Sequence, residues 1–249
     1  MMMKKNFIKR VINFIRPKPR YIKMPLDDIL RNSHAKDIVE KFNDFYYTSG
    51  NPGNLMWHGV EMIKNPCDLW IYIEILQELK PSVIIETGTH EGASARFYSD
   101  ISAALGFKCK IITVDINPKW SFKPELFNIS SIVGLSTDKN IIERIGNETR
   151  KILSEQPGNV IVMLDSDHSK ENVLNEMEAY GPLVNNGSYM IVEDTNINGH
   201  PSFISHGPGP WEAVEEFFKK KQDIKFEIDR SKERFMLTFN PKGFLKRVK

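Results

Sequence analysis

The chain has 249 residues with 34 basic and 32 acidic side chains, 41% apolar and 27% charged, which is the make-up of an ordinary soluble globular domain. Two cysteines, Cys67 and Cys109, are too few and too far apart for a disulfide framework or a cysteine zinc site, and they fit a reducing cytoplasm. Eight of the basic residues fall within residues 1–23, which hold no acid, so the remaining body carries 26 basic against 32 acidic residues, and an acidic body argues against nucleic acid as partner.

Residues 1–23 read as a basic amphipathic extension. Phe7, Ile8, Val11, Ile12, Phe14 and Ile15 recur at helical spacing between lysines and arginines, and Pro17 and Pro19 end the run. Such a segment suits the inner, anionic face of a membrane as well as it suits docking on the body. No apolar run is long enough for a transmembrane helix. Residues 24–80 read as a helical lead-in, with a turn at Asn51–Asn54 and an apolar helix over Leu69–Leu79 that Pro81 closes.

From residue 81 to 249 the pattern becomes that of a single α/β domain. Strands are predicted at Val83–Glu86, Ile111–Val114, Ser131–Val133, Val160–Leu164 and Tyr189–Val192. Helices are predicted at Ala93–Leu105, Asn140–Ser154 and Lys170–Leu183, and from Pro210 to Lys220. The alternation implies a parallel sheet buried on both faces, and Lys225–Asp229 with Arg234–Phe239 is expected to add an antiparallel pair.

The strand Val83–Glu86 runs into Thr87-Gly88-Thr89-His90-Glu91-Gly92 and then a helix, so glycines allow a ligand to approach a helix N-terminus. The glycines stand four apart, and the GxGxxG of dinucleotide binders is missing, which weighs against an NAD enzyme. Asp115, ending the next strand, is placed to accept from ribose hydroxyls, or else merely caps a helix. Gly134 to Asp138, with Ser136, lies where a loop could reach an adenine.

The densest chemistry follows the last two core strands. Asp165-Ser166-Asp167-His168 and Glu193-Asp194 emerge at the same edge of a parallel sheet. Carboxylates gathered there would repel one another and raise their own pKa values, a problem that a hard divalent cation such as Mg²⁺ removes. Some of these acids, Asp167 and one of Glu193 and Asp194, can equally be caps or solvated loop residues. His168, three residues past Asp165, suits a general base. Residues 202–210, flanked by His200 and carrying His206, form either a lid or a surface connector.

Taken together, Glu86–Ser94, Asp115, Leu164–His168, Gly187–Thr195 and Gly209–Val214 resemble the cephalosporin hydroxylase-like family of class I methyltransferases, related to O-methyltransferases of rhamnose and macrolide sugars. Trp57-His58-Gly59 and Asp68 are similar to the family's lead-in, whereas the first 50 residues resemble nothing in it. The resemblance implies a Rossmann-like, seven-stranded, mostly parallel sheet with an antiparallel C-terminal strand and helices on both faces. It implies S-adenosylmethionine on Glu86, Gly88, Thr89, Gly92, Ser94, Asp115, Ser136 and Asp165, and a divalent metal on Asp165, Glu193 and Asp194. Histidine rather than lysine at position 168 leans toward the sugar enzymes, with His168 as catalytic base.

The implied activity is O-methyl transfer to a hydroxyl of a sugar, a glycan-containing acceptor or a small metabolite, by a cytoplasmic enzyme whose relatives are often multimeric, so that a homo-oligomer is one open state. A metal-dependent oxygenase and a non-catalytic binding module are the rival classes. A redox iron site lacks its usual histidine pattern here, and a mere scaffold needs neither the acids nor His168.

Overall fold

A computed structural model describes residue 28 and residues 31–50, 55–220 and 223–249. The basic segment 1–23 and the Asn51–Asn54 turn therefore lie outside the described residues. The lead-in contributes helix α1 (Ser33–Thr48), a two-stranded hairpin of β1 (Met56–Trp57) and β2 (Val60–Glu61), and helix α2 (Pro66–Leu79). Asn65 caps α2 by accepting from the Cys67 amide, with Pro66 at the first turn, so the helix starts three residues before its apolar stretch.

The core is a seven-stranded sheet. In chain order its strands are β3 (Val83–Thr87), β4 (Lys110–Asp115), β5 (Ile129–Val133), β6 (Val160–Leu164), β7 (Tyr189–Val192), β8 (Phe226–Ile228) and β9 (Phe244–Arg247). In space the order is β5-β4-β3-β6-β7-β9-β8. Only β9 runs against the others, since it pairs antiparallel with both β7 and β8. The connecting helices are α3 (Ala93–Ala104), α4 (Lys139–Glu155), α5 (Lys170–Tyr180) and α6 (Pro210–Lys219).

The pleat explains why the strands read as continuous apolar runs. Ile84, Ile111 and Ile161 point to one face, packing with Ile71 and Ile75 of α2 and Phe97 of α3. Val83, Ile85, Ile112 and Val162 point to the other, with Ile145 of α4, Met177 of α5 and Val214 of α6. Each such side chain contributes about 1.5–3 kcal/mol on burial, so both faces must be covered for the sheet to hold.

The expected antiparallel pair is corrected at its second member. Residues 234–239 form no strand, and β8 pairs instead with Phe244–Arg247. Side chains rather than a ladder satisfy the 234–239 backbone. Asn43 donates to Met236 O (2.7 Å) and accepts from Thr238 N (3.1 Å), while Asp68 accepts from Phe239 N (2.8 Å). These bonds, with the edge-on packing of Tyr47 against Phe239, also tie α1 to the sheet domain.

Candidate active site

Parallel register brings four strand ends to one edge. Thr87 is level with Val114 on one side and with Leu164 on the other, and Leu164 is level with Val192. The residues just past these ends remain stitched together: Gly88 N donates to Val114 O (2.8 Å), Asp165 N to Thr87 O (3.0 Å) and Glu193 N to Leu164 O (3.0 Å). The polar tips are thus extensions of the sheet and share its rigidity.

A cavity of about 620 Å³ opens along this edge. Its walls are Met62–Lys64 from the lead-in, Gly88–Glu91 and Ser94 from the β3–α3 turn, Asp115–Asn117, Gly134–Ser136, Asp165–His168, Asn172 and Asp194. The volume suits a nucleoside-sized ligand with a second small reactant beside it.

Of the residues expected at the cofactor, Gly88, Thr89, Ser94, Asp115, Ser136 and Asp165 line this cavity. Glu86 and Gly92 do not. Glu86 is fully buried beneath the turn, where its Oε2 accepts from Thr113 (2.8 Å) and burial raises its pKa to about 7, against the opposing pull of Lys64. Gly92, at φ +83, is held against the Trp120 ring, which a Cβ there would strike. Gly88 carries the tighter constraint: at φ +85 its Cα faces the Asp165 carbonyl, so the turn can approach β6 only without a side chain.

Asp115 proves to be an organiser of that turn. Its Oδ2 accepts from Thr89 N (2.8 Å) and His90 N (2.9 Å), and its Oδ1 from Asn117 N (2.7 Å). Partial burial pushes the carboxyl up, but these amides outweigh it and hold the pKa below the usual aspartate value. It also borders the cavity, so the unused lone pairs are available to a ligand.

The acid cluster divides into three roles. Asp167 caps the approach to α5 through Ser169 N (2.8 Å) and belongs to the turn. Asp165 and Asp194 converge with His168, and one ligand atom from each lies within 4.8 Å of the others. His168 Nε2 stands 3.2 Å from Asp194 Oδ2. Asp194 has φ +52, an uncommon backbone for a non-glycine, and Asn240 holds it there by accepting from its amide (3.0 Å). Glu193 is the third of the expected ligands. It is 4% exposed, and its Oε2 takes Lys64 Nζ at 2.6 Å while its Oε1 is buried without a hydrogen-bond partner among the described residues.

Lys64 is the residue that sequence reasoning missed. It is 4% exposed and its Nζ is shared between Asp165 Oδ2 and Glu193 Oε2. Burial alone would lower its pKa, but the two carboxylates outweigh burial and keep the ammonium charged. Burial likewise raises Glu193 and Asp194, with Lys64 and His168 respectively pulling them back. Three carboxylates therefore face one fixed ammonium, and the set is still short of positive charge.

Residues 51–248 match the family model described as Rhamnosyl O-methyltransferase/CmcI. The chain belongs to this family. A rhamnosyl O-methyltransferase of Mycobacterium tuberculosis (strain ATCC 25618 / H37Rv) is 38% identical over 219 residues, 84% of each chain. The one from Mycobacterium leprae (strain TN) is 37% identical over 213 residues, 84% of this chain and 90% of the relative. The solved structure of CmcI with Mg and SAM shares the fold at a TM-score of 0.59 and 21% identity, over 79% of this chain and 78% of that one. The sheet order above is that of the class I methyltransferases, and the chain is an S-adenosylmethionine-dependent O-methyltransferase. Among the described residues no helix is long and apolar enough to cross a membrane.

Proposed function

We propose that this enzyme methylates a hydroxyl of a deoxysugar, free or carried on a glycan or glycolipid, and that it does so with one divalent cation held by Asp165, Glu193 and Asp194. The convergence of Asp165, His168 and Asp194 beside the Gly88 turn is the observation that carries this reading. The names of the relatives, rhamnosyl O-methyltransferases, favour a rhamnose-type acceptor.

The residues fit a divalent cation. Asp165, Glu193 and Asp194 against Lys64 leave two negative charges uncompensated when all are ionised. Among the described residues Glu193 Oε1 is also buried without a hydrogen-bond partner. Carboxylate oxygens suit Mg²⁺, and when bound such an ion lowers the pKa of a hydroxyl it contacts.

The chain's own groups supply the rest. The Gly88 turn and the Asp115 carboxylate hold the cofactor's nucleoside against the sheet edge, so that methyl donor and acceptor meet within one cavity. Positioning two reactants in this way accounts for a large share of the rate in such transfers. Asp194 orients His168 through Nε2, which leaves Nδ1 to accept the proton of the acceptor hydroxyl. S-adenosylmethionine, held by the Gly88 turn and Asp115, would supply the methyl group to that oxygen, its sulfur leaving as the neutral thioether.

A second reading makes His168 a metal ligand, favoured by its ligand atom lying within 4.8 Å of the two aspartates. One experiment separates the two. Mn²⁺ affinity and turnover of rhamnosides are measured for the wild type and for His168→Gln. A base loses turnover and keeps the metal, whereas a ligand loses both. Full turnover of Asp165→Ala in chelator would refute the metal site altogether.

A further inference from the structure

Glu176 stands in α5 and is 0% exposed. Its neighbours Val173 and Met177 belong to the apolar core, so packing alone does not call for an acid there. A carboxyl in such a place costs stability unless polar groups meet it. Here they come from the ends of three strands. Ser166, just past β6, donates to Oε1 (2.6 Å), and Asn172 donates to the same Ser166 hydroxyl (3.0 Å). Burial raises the pKa of the carboxyl, and the side chains of Ser136, Ser166, Thr87 and Asn172, all facing it, pull it back in part. Thr87 Oγ1 in turn takes Asp165 N (3.3 Å). One helical turn further on, Tyr180 donates to Ser136 O (2.7 Å). Asn172, Glu176 and Tyr180 stand four apart, so one stripe of α5 fastens both the loop after β5 and the turn after β6. Ser136, Ser166 and Asn172 line the cavity, with Glu176 directly behind them.

Resting on the reading that puts the cofactor's nucleoside at this sheet edge, we propose that Glu176 is a positioning residue for methyl transfer, holding the Ser136 loop and the Ser166 turn at a fixed spacing. The Ser136 loop borders the nucleoside end of the cavity, and the Ser166 turn leads from Asp165 to His168. One carboxyl can serve both, because each of its oxygens accepts more than one donor. Among the described residues Oε2 is buried with no partner at hydrogen-bond distance. The Ser136 hydroxyl therefore has an acceptor toward which it tightens when a ligand presses on its loop. The consequence for rate is steep, since a misplacement of about 1 Å can cost about 10²-fold in such reactions.

The test is a double-mutant cycle on the full chain, read by calorimetric titration with S-adenosylhomocysteine, with circular dichroism following folding. Ser136→Ala, Ser166→Ala and the pair are compared in the wild-type, Glu176→Gln and Glu176→Met backgrounds. With Glu176 present, each serine change should weaken binding at least about threefold. The pair should weaken it by clearly less than the product of the two, because breaking either arm already frees the other. Glu176→Gln keeps hydrogen-bonding atoms in place and should preserve that coupling. Glu176→Met fills the space without an acceptor, and in it the two effects should multiply. At saturating methyl donor its kcat for rhamnosides should fall by about 10- to 100-fold with little change in the acceptor's KM. Effects that multiply in the wild type, or an unchanged kcat in folded Glu176→Met, overturn the role of Glu176 and leave the cofactor site standing. If neither serine change alters affinity, the nucleoside's placement falls too. Should Glu176→Met not fold, the cycles in the wild type and in Glu176→Gln still decide.

Discussion

Replacing Gly88 by alanine tests the central geometric claim, that the cofactor turn closes directly onto β6. Two penalties add at this position. The left-handed backbone, φ +85, disfavours any side chain by about 1–2 kcal/mol. The new Cβ would also overlap the Asp165 carbonyl oxygen and lie 2.7 Å from its carbonyl carbon and 3.1 Å from Ser166 Cα. Relieving that overlap pushes apart two tips joined by the Asp165 N to Thr87 O bond, adding about 2–3 kcal/mol of overpacking and weakened hydrogen bonding. Gly106 provides the control, because it has a similar φ of +79 but open space where its Cβ would stand. In a chain of this length, with about 2–4 °C per kcal/mol, Gly106→Ala should lower the melting temperature by about 2–8 °C and Gly88→Ala by about 6–20 °C. Calorimetric titration with S-adenosylmethionine should show at least a tenfold loss, about 1.4 kcal/mol, for Gly88→Ala alone. Equal melting temperatures for the two variants, with unchanged cofactor affinity, would refute the claimed contact.

Other outcomes follow from the same geometry. His168→Gln should lower kcat by about 10²- to 10⁴-fold with little change in KM for the methyl donor, measured by S-adenosylhomocysteine release. Chelation should abolish turnover and added Mg²⁺ should restore it, and activity that survives exhaustive chelation would contradict the cation reading. Glu212 gives a pH signature. Partial burial pushes its carboxyl up, but Gly209 N, His200 and Asn198 outweigh this and bring its pKa from the ordinary 4.5 down to about 2. The group therefore stabilises the fold fully above its unfolded value, and that contribution fades as pH falls through 4.5 toward 2. Denaturant midpoints of wild type and Glu212→Gln should accordingly differ most near neutral pH and converge across that window.

The strands that carry the site were legible because each is a run of β-branched residues buried on both faces, as Val83–Thr87 and Val160–Leu164 show. Their order in chain and the rule that parallel tips share an edge were enough to bring Asp165 and Asp194 together. The sequence could not tell which acids serve the cluster and which serve the backbone. Asp167 and Asp115 face backbone amides while Asp165 faces Lys64, and these surroundings depend on turn geometry and a distant segment. Lys64 was invisible for another reason. It lies in an irregular segment without periodicity, and its partners are 101 and 129 residues away. The 234–239 segment misled for the complementary reason, since its alternation looks like a strand while Asn43 and Asp68, far off in sequence, satisfy its backbone. The loop over 200–209 is anchored at its base and open at its tip. His200 stacks on Trp211 at 4.2 Å and bonds Glu212, while Ile204 stands 84% exposed.

The reversed strand β9 imposes an order on assembly. It follows β8 along the chain yet sits between β7 and β8 in the sheet, so β8 has no partner until β9 arrives. Until then β7, which ends in the Glu193–Asp194 pair, is an open margin with unpaired amides and carbonyls. Gly243, at the entry to β9, accepts from Val192 N and so fastens the residue before that pair. The β7 margin that ends in Glu193 and Asp194 is therefore closed by β9, and damage to residues 243–247 should loosen the acidic pair on the strand beside it.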